Sequence, residues 1–562
     1  MAKMNWLESK VLEKILLALL AIASFILINQ LANRYFFRLD LTEEKRYSIT
    51  DATKKQLQEL PDVVTIEIYL AGELPAGFRR MQQSLLETVE EFNIYSDGKI
   101  TYQVIDPNTA VSNQSRAEYM KSIMARGLQP TDVFINEEGS RVQKRIFTGV
   151  IISYGNRELG VQLFKGNKTA TPEERLNQSI EGIEYELANG IHQITQDRRP
   201  LIGLVTGHNE MDSINLFSFT RLLQEQYRTR KTHLENIGNQ APEILMLIQP
   251  KSAFSTIEKY ALDQYIMNGG KVIFLLDKVA VNMDSAATGT YSFPYDLNLD
   301  DMLFKYGVRI NNDLVQDYVS GAYPIIVGNS GDQPKIQLLQ WPFFPIINKY
   351  SKHVIVRNLD ATKAEFVSSI DTVKARGITK TVLLSTSTYS RVSTAPVYVD
   401  INVLQESLAP EKFTEQNIAI GYLLEGRFTS HYKNMFLPEA VDEADFIAES
   451  KPTSMIVISD GDFVKNNIDP RNGSPLPVGF DPYMGQQFAN GDLINNAIQY
   501  LLEGDGLISA RAKQVIIRPL DKVKVGVLKE LYLAINLLLP LLLIVIIGIS
   551  VFIVRKRKYS RF

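Results

Sequence analysis

Five side chains able to bind a metal ion or move a proton follow segments that have the pattern of buried strands. They are His208 and Glu210 after residues 201–205, Asp277 after residues 272–276, and Asp460 and Asp462 after residues 455–459. The carboxyl ends of parallel strands meet at one edge of an open α/β sheet, and ligands bind along that edge. One imidazole and four carboxylates there indicate a candidate ligand rim, at which a metal ion or an activated water could be held.

The same residue types also have a structural explanation. Asp, Asn and Gly favour tight turns, and short polar side chains cap the helices that follow such strands. Structural turns are the interpretation that we favour for the rim. We therefore assign no catalytic, cofactor-binding or metal-binding residue, expect no cofactor and no enzymatic activity, and keep the five rim residues as the candidate site.

Other catalytic patterns are missing from the sequence. The chain of 562 residues has no Cys, which excludes disulfides, thiolate metal sites and a Cys nucleophile. The run Gly-Asn-Lys-Thr at 166–169 lacks the first Gly of a phosphate-binding loop. Neither His-Glu-x-x-His nor Gly-x-Ser-x-Gly occurs in the sequence. The formal net charge of −3 indicates no nucleic-acid partner.

The segments around the rim predict a doubly wound α/β domain over residues 199–510. Apolar strands alternate with helices there, as in a parallel sheet that is buried on both faces. A β-rich insertion is expected at about 282–450. Its strands are expected at 335–341, 354–356, 381–385 and 418–424. The run Trp-Pro-Phe-Phe-Pro at 341–345 predicts a rigid aromatic turn, for which we favour a buried corner over a partner contact.

Residues 34–198 predict a smaller domain before it. The order of elements is strand, helix, strand, helix, paired strands and helix, which matches a thioredoxin-like arrangement. The dipeptide Gly155-Asn156 indicates a hairpin between the paired strands. Thr171 and Glu174 have the spacing of a capping box. Because the chain has no Cys, redox chemistry is excluded, and we interpret this domain as structural or partner-binding.

Two apolar segments flank these domains. Residues 531–554 carry no charge, and a helix of that length, about 36 Å, crosses a hydrocarbon core of roughly 30 Å. The basic tail at 555–562 indicates a cytoplasmic C-terminus. An apolar run within residues 1–33 is interpreted as an uncleaved N-terminal anchor rather than a signal peptide. The sequence thus predicts two transmembrane helices in the lipid bilayer, both termini in the cytoplasm, and a linker at 511–530.

The C-terminal span carries residues that anchoring alone does not require. Asn536 and Pro540 lie four positions apart and therefore share a helical face. Pro540 frees the carbonyl of Asn536, which needs a partner in a medium without water. Gly548 would let another helix approach closely. These residues leave two interpretations open: this face packs against another membrane subunit, or an interfacial Asn is followed by a tolerated Pro kink. The family resemblance described below favours the first.

Several short motifs give the chain a resemblance to a known family. They are Arg-Leu-Asp-Leu-Thr at 38–42, Arg-Tyr-Ser at 46–48, Gly-Leu-Val-Thr-Gly-His-Asn-Glu at 203–210, Asn-Gly-Gly at 268–270 and Asp-Gly-Asp-Phe at 460–463. Over nearly its whole length the chain resembles the GldG family, the auxiliary subunits of the gliding-motility ABC transporter. The resemblance implies a GldF-type permease and a GldA-type cytoplasmic ATPase as partners. A periplasmic partner protein is left open beside them.

The same resemblance implies a location and a fold. It implies the bacterial inner membrane, with the body of the chain in the periplasm. It also implies that residues 199–510 are similar to the glutamine-amidotransferase-like fold, whose catalytic Cys is missing from this sequence.

Three functions remain open from the sequence. The one we favour is a non-catalytic, membrane-anchored subunit of an ABC-transporter-type complex involved in gliding motility. The second is a periplasmic hydrolase or metal-dependent enzyme that uses the rim carboxylates. The third is a polysaccharide co-polymerase, which also has two spans and a large external loop but would carry long helical heptads, and the sequence has none.

Overall fold

The computed structural model describes residues 16–27, 48–511 and 529–559, apart from short gaps in the middle range. These gaps are 110–112, 138–139, 165–170, 197, 239–240, 284–288, 331–332, 358, 402–408, 439–442, 470 and 505. The chain divides into two compact units, Met1–Lys513 and Gln514–Phe562. The motif at 38–42, the run at 166–169 and most of the linker at 511–530 lie outside the described residues.

The helices and strands are numbered in chain order. The helices are α1 (Leu16–Leu27), α2 (Asp51–Gln58), α3 (Ala76–Tyr95), α4 (Asn113–Ala125), α5 (Pro172–Glu181), α6 (Ile183–Thr195), α7 (Phe217–Gln226), α8 (Thr256–Met267), α9 (Asp300–Tyr306), α10 (Asn490–Glu503), α11 (Ile508–Arg511) and α12 (Lys529–Tyr559). The strands of the first part are β1 (Val64–Ile68), β2 (Ile100–Val104), β3 (Pro130–Glu137), β4 (Ser140–Phe147), β5 (Gly149–Tyr154) and β6 (Arg157–Gln162). The next are β7 (Leu201–Val205), β8 (Arg228–Thr232), β9 (Ile244–Ile248), β10 (Lys271–Leu275), β11 (Val279–Ala280), β12 (Thr290–Pro294), β13 (Val308–Ile310), β14 (Asp313–Asp317), β15 (Ser320–Ser330) and β16 (Gln333–Ile347). The last are β17 (Thr362–Lys363), β18 (Ile370–Thr372), β19 (Ile378–Ser385), β20 (Ser390–Thr394), β21 (Val397–Val399), β22 (Ala419–Gly426), β23 (Thr453–Ile458), β24 (Phe480–Asp481) and β25 (Gln486–Gln487).

A four-stranded sheet organises the first part of the chain, in the order β2–β1–β5–β6. Strands β1 and β2 are parallel, whereas β5 is antiparallel to both of its neighbours. Helices α3 and α6 bury apolar residues such as Leu85 and Ile191 in the same core. The predicted hairpin at Gly155-Asn156 is confirmed, because Tyr154 pairs with Arg157. The predicted capping box of Thr171 and Glu174 at the start of α5 is also confirmed.

One expected strand is divided into two. The hairpin signal at Gly155-Asn156 predicts a single strand over residues 145–154, but this segment is interrupted at Thr148, and β4 pairs with β3 in a separate two-stranded sheet. Thr148 is fully buried; its carbonyl accepts from Leu163 N at 2.9 Å and its hydroxyl accepts from Gln162 Nε2 at 2.7 Å. Since the apolar pattern continues across Thr148, periodicity alone does not reveal the break.

The central sheet has seven strands in the order β19–β22–β23–β10–β9–β7–β8. The five strands from β23 to β8 are parallel. Helices cover both faces: Phe219 of α7 and Ile494 of α10 lie in one core, and Leu262 of α8 and Met302 of α9 lie in the other. This double cover explains why every residue of β7 and β9 is buried.

The region expected to be a separate insertion contributes to this sheet. Strands β19 and β22 fall within 282–450, yet they extend the sheet beyond β23 as antiparallel strands. The sheet is therefore mixed. The strand predicted at 354–356 is wrong: these residues form a turn in which Val356 N donates to His353 O at 3.1 Å. A short apolar run has too few residues for its period to identify a strand.

The aromatic run at 341–345 lies in a strand rather than a turn. It is part of β16, which pairs with β15 along most of its length. Trp341 is 1% exposed, and its ring centroid lies 4.7–5.7 Å from those of Tyr323, Phe344 and Phe366. The run is thus buried in an aromatic core, as in the interpretation that we favoured.

A helical joint connects the two parts of the first unit. Tyr185 OH of α6 donates to Gln499 Oε1 of α10 at 2.5 Å, and His192 Nε2 lies 2.5 Å from Glu503 Oε1. Leu507 packs into the core of the first sheet, while Ile508 packs into that of the central sheet. Helices α2, α6 and α11 contact one another. The middle range of described residues, 48–511, therefore begins and ends close to the same helix, α6.

Helix α12 is the one helix of the described residues that is long and apolar enough to cross a membrane, over Leu533–Lys558. It starts two residues before the predicted span and continues through the basic residues 555–558. Lys and Arg are good helix formers and are favourable in a last turn, so the tail extends the helix. Helix α1 is shorter than the roughly 20 residues of a typical span.

Candidate functional site

The five rim residues lie in two groups at the carboxyl edge of the central sheet. His208 and Glu210 follow β7, Asp277 follows β10, and Asp460 and Asp462 follow β23. Strand β9 separates β7 from β10. We define the histidine cluster as His208, Glu210 and Glu258. We define the acid cluster as Asp277, Asp460, Asp462, Glu365 and Asp481 with Lys363 and Lys465.

His208 lies between two carboxylates and an aromatic ring. Its Nδ1 is 3.1 Å from Glu210 Oε1, and its Nε2 is 3.1 Å from Glu258 Oε1. The second contact is an ion pair by distance but does not have the geometry of a hydrogen bond. The imidazole stacks on Phe254 with ring centroids 3.7 Å apart, and His208 is only 2% exposed. These contacts link the loop after β7 to the first turn of α8.

The histidine cluster favours a cation between two anions. Burial opposes a charge on His208, but Glu210 and Glu258 outweigh it, and the pKa of His208 is raised. Burial likewise opposes a charge on Glu210, yet His208 and nearby backbone N–H groups lower its pKa. The pKa of Glu258 is lowered against burial by Ser255 and His208. The three charges therefore satisfy one another, which is a structural arrangement.

In the sequence, the spacing of Ser255 and Glu258 predicts a capping box at the start of a helix, and it indicates no further role for Glu258. That capping box is confirmed: Ser255 N donates to Glu258 Oε2 at 2.9 Å, and Glu258 N donates to Ser255 Oγ at 3.2 Å. The other carboxylate oxygen of Glu258 contacts His208. The sequence did contain a signal for the contact between Glu258 and His208. Helix α8 follows β9, so its first turn must lie at the same edge of the sheet as the loop after β7.

The aspartates of the acid cluster differ in how many donors they receive. Asp277 accepts from Gly461 N at 2.6 Å and from Gln249 Nε2 at 2.8 Å. Asp462 Oδ1 lies 3.2 Å from Lys465 Nζ. Asp460 is fully buried, and its Oδ2 accepts from Glu365 N at 2.9 Å. The other oxygen, Asp460 Oδ1, has no hydrogen-bond partner among the described residues.

Residues at and after β17 complete the acid cluster. Lys363 Nζ lies 2.8 Å from Asp481 Oδ2 and 3.0 Å from Glu365 Oε1. The same ammonium group lies over the ring of Phe344, 4.6 Å from its centroid. Sequence reasoning missed Lys363, Glu365 and Asp481, because no local pattern shows that residues so distant in the chain from the rim meet it. It also missed Lys465, although this residue lies only three positions after Asp462.

Burial and mutual repulsion hold some of these acids in the neutral form. Burial, followed by the charge of Asp462, raises the pKa of Asp277 to about 7. Burial, followed by Asp277 and Asp462, raises the pKa of Asp460 well above its usual range. The pKa of Glu365 is lowered against burial by Lys363. Burial opposes a charge on Lys363 as well, but the adjacent carboxylates raise its pKa.

The acid cluster borders a small cavity. Its volume is about 30 Å³, and the lining includes Lys363, Glu365, Asp462, Lys465 and Asp481. A cavity of that size holds about one or two water molecules. Among the described residues, no three His, Asp or Glu side chains are arranged to hold a metal ion. The arrangement can exchange protons but has no room for a substrate.

The other candidate residues lie in the second unit, on α12. Asn536, Pro540 and Gly548 fall within Leu533–Lys558 of this helix, where the side chains are exposed. A Cβ atom on Gly548 would have no neighbour within 4 Å in the described chain. Ser550 Oγ donates within the helix, to Ile546 O at 2.7 Å. The surface of α12 is thus open to lipid or to another helix.

A family model described as an ABC-type uncharacterized transport system matches residues 199–497. This is more than half of the chain. The chain belongs to this family. It is therefore an auxiliary component of an ABC-type transport system, and the match spans the central sheet and both clusters. A model for a domain of unknown function matches residues 43–153 of this ABC-system protein.

Two individual proteins are similar to this ABC-system component. An uncharacterized protein of Borreliella burgdorferi is 21% identical over 418 residues, which cover 71% of this chain and 75% of the relative. Among solved structures, the mmIFT52 N-terminal domain has a TM-score of 0.30 and 13% identity, over 54% of this chain and 98% of that chain. A score of that size supports no inference about fold or function.

Proposed function

We propose that this chain is a non-catalytic, membrane-anchored auxiliary subunit of an ABC-transporter-type complex. The observation that carries the proposal is the family match over residues 199–497. Helix α12, with a length and composition suited to a membrane span, supports the anchoring. In line with the resemblance to the GldG family, the proposed partners are a GldF-type permease and a GldA-type ATPase, and the proposed process is gliding motility.

The proposed architecture has two spans and a periplasmic body. We propose an anchor at 1–33, a thioredoxin-like domain at 34–198, a glutamine-amidotransferase-like domain at 199–510, a linker at 511–530 and a span at 531–554. The tail at 555–562 and the N-terminus would lie in the cytoplasm of a bacterium. The strand order β2–β1–β5–β6 supports the first fold, and five parallel strands support the second.

Two observations favour a non-catalytic role over the two alternatives, one at the rim and one in the helices. A hydrolase or metal-dependent enzyme needs a substrate-sized opening beside its reactive groups, and the cavity at the acid cluster has about 30 Å³. A polysaccharide co-polymerase would need long helices in its external part. The longest helix of the first unit, within its described residues, is α3 with 20 residues.

Copurification tests the proposal. The full chain, tagged at its C-terminus and solubilised from native membranes in mild detergent, should recover a polytopic permease and a cytoplasmic ATPase in constant ratio. Recovery of neither protein would contradict the proposed function. Normal recovery, on the other hand, with a measurable hydrolytic turnover that disappears in a folded Asp462→Asn variant would favour the enzyme alternative.

A second experiment tests whether the Asn536 face of α12 contacts the permease. Replacing residues 531–554 by a plain Leu/Ala span should keep the chain in the membrane but reduce permease recovery by about 3- to 30-fold, since inter-helix hydrogen bonds contribute roughly 0.6–2 kcal/mol. A matched control carries Leu538→Ala and Leu542→Ala, away from the Asn536 face, and should recover as much permease as the original. Equal recovery with the plain span would show that α12 only anchors.

A further inference from the structure

The acid cluster joins two parts of the chain that are distant in sequence. Residues 362–369, here called the edge segment, lie along the carboxyl edge of the central sheet. Glu365 N donates to Asp460 Oδ2 at 2.9 Å, and Ser368 N donates to Ser459 O at 3.3 Å. Asn490 of α10 fixes the start of the segment, because its side chain bonds the N–H and the C=O of Lys363 at 3.0 and 2.7 Å. The segment is thus attached to the sheet through buried polar contacts.

The charges at this attachment do not balance. Five carboxyl groups face two ammonium groups, and the residues at the centre of the cluster are deeply buried. Apart from these groups, Tyr295 is the ionisable side chain that faces Asp277 and Asp462, and Gln249 is the neutral donor beside Asp277. An unpaired ionised carboxylate in such a place is so costly that the group normally takes up a proton instead.

Among the carboxyl groups in excess, Asp460 is the one whose ionised form would be the least stabilised. It is fully buried, it lies two residues after the end of β23, and its Oδ1 has no hydrogen-bond partner among the described residues. Within the described part of the chain, the donor to its side chain is the backbone N–H of Glu365 in the edge segment. An ionised Asp460 would therefore have a full negative charge facing Asp277, Asp462 and Glu365 with one hydrogen bond to stabilise it.

We propose that the acid cluster is a proton-binding site centred on Asp460, and that the bound proton keeps the edge segment attached to the central sheet. When the proton leaves, repulsion among the carboxylates loosens the contact between Asp460 and Glu365 N. The edge segment then separates from the sheet, together with the aromatic core to which Phe366 belongs. The site gives an external pH change a direct effect on the strands inserted between β10 and β23.

The sign of the pH dependence follows from linkage. The folded state holds protons that the unfolded chain releases above the ordinary Asp pKa of 3.8. Stability therefore falls as the pH rises from that value, through about 7 for Asp277 and further for Asp460. For each such group, between its pKa in the detached state and its pKa in the attached state, the equilibrium constant for attachment falls about tenfold per pH unit.

Hydrogen exchange of the full chain in detergent tests the proposal. Protection factors are measured by mass spectrometry between pH 6 and pH 8, each corrected for intrinsic exchange at that pH. We expect the protection of peptides covering the edge segment to fall by about tenfold or more, while peptides of β1 and β5 stay constant. Asp460→Asn keeps the acceptor for Glu365 N and removes the charge, so its edge segment should stay protected at pH 8. Asp62→Asn, at an exposed aspartate, should behave like the original chain.

Three results would overturn the proposal. The first is constant protection of the edge segment in the original chain. The second is an unchanged pH-dependent loss in Asp460→Asn. The third is restored protection at pH 8 on adding Na⁺, K⁺, Mg²⁺ or Ca²⁺, which would make the cluster a cation site. If Asp460→Asn does not fold, infrared difference spectra of the original chain decide: a buried carboxylic-acid C=O band must be lost between pH 6 and pH 8, and an unchanged band contradicts the proposal.

Discussion

At the carboxyl edge of the central sheet, the histidine cluster places one imidazole between two carboxylates, whereas the acid cluster places five carboxyl groups around two ammonium groups. His208 is the cation on which both of its neighbours depend. Asp460, in contrast, makes no ion pair with a basic side chain of the described residues. Removing the charge of His208 therefore leaves buried anions unpaired, while removing that of Asp460 relieves repulsion. The residue types of the rim do not decide these roles; the local balance of charge does.

Both clusters lose stability as the pH rises, for different reasons and in different ranges. The raised pKa of His208 gives a contribution that is complete below its ordinary value of 6.5 and is lost as the pH rises through the raised value. The acid cluster begins to lose stability at lower pH, from 3.8, and the loss continues through about 7 for Asp277 and further for Asp460, because its charged form is the unfavourable one. Variants that change one charge at a time distinguish the two mechanisms.

The largest effect is expected from His208→Ala. It leaves Glu210 and Glu258 without their cation and removes the ring that stacks on Phe254, so the free energy of unfolding should fall by about 3–4 kcal/mol. Urea unfolding of the full chain in detergent, followed by the fluorescence of buried Trp341, measures it. His233→Ala, at an exposed histidine, is the control and should change stability by about 0.5 kcal/mol or less. A loss below about 1 kcal/mol for His208→Ala would show that the ion pairs do not hold the loop after β7.

The next largest effect is expected from Lys363→Met. Methionine keeps the apolar stem over Phe344 but leaves Asp481 and Glu365 without their shared cation, which should cost about 2–3 kcal/mol at pH 7. The same unfolding measurement applies, with Lys352→Met at an exposed lysine as the control. Within the acid cluster, the two substitutions are expected to change the free energy of unfolding in opposite directions. Lys363→Met lowers it, and Asp460→Asn raises it at pH 8. Equal stabilities of Lys363→Met and Lys352→Met would break that comparison.

The smallest effect is expected from Glu258→Gln. Glutamine keeps the acceptor that caps α8 and removes the charge beside His208, so the loss should be about 1 kcal/mol at pH 6, limited by solvent screening. It should shrink as the pH rises and His208 becomes neutral. Glu174→Gln changes the equivalent capping-box residue of α5, where no histidine is involved, and its effect should not vary over this pH range. A loss for Glu258→Gln that is the same at pH 6 and pH 9 would assign the whole effect to the helix cap.

The sequence predicts elements better than it predicts contacts. The rim positions of His208, Asp277 and Asp460 follow from strands whose continuous apolar runs allow one interpretation, a sheet covered on both faces. The capping boxes at Thr171 and Ser255 are local patterns and are confirmed. By contrast, Glu365 meets Asp460 across 95 positions and Lys363 meets Asp481 across 118. Such contacts depend on how the inserted strands return to the sheet, which no local pattern records.

The residues of a strand also do not reveal whether its neighbour in the sheet is parallel or antiparallel. Strands β19 and β22 were expected in an insertion, yet they complete the central sheet in the antiparallel sense. An antiparallel neighbour and a parallel neighbour bury the same apolar side chains, so the pattern at 418–424 fits either arrangement. The same limit explains why β4 and β5 appeared as one strand: the apolar residues continue while the hydrogen-bond partners change at Thr148.

The close contact of α2, α6 and α11 has a mechanical consequence. The folded body is attached to the segments before residue 48 and after residue 511 at neighbouring points. A force applied through both segments therefore acts on almost the same place, so it displaces or rotates the body as a whole instead of stretching the central sheet. The resulting torque passes through α6 to α10, by way of the contacts of Tyr185 with Gln499 and His192 with Glu503. Load applied at both places would therefore be carried by these helix contacts rather than by the hydrogen bonds of the central sheet.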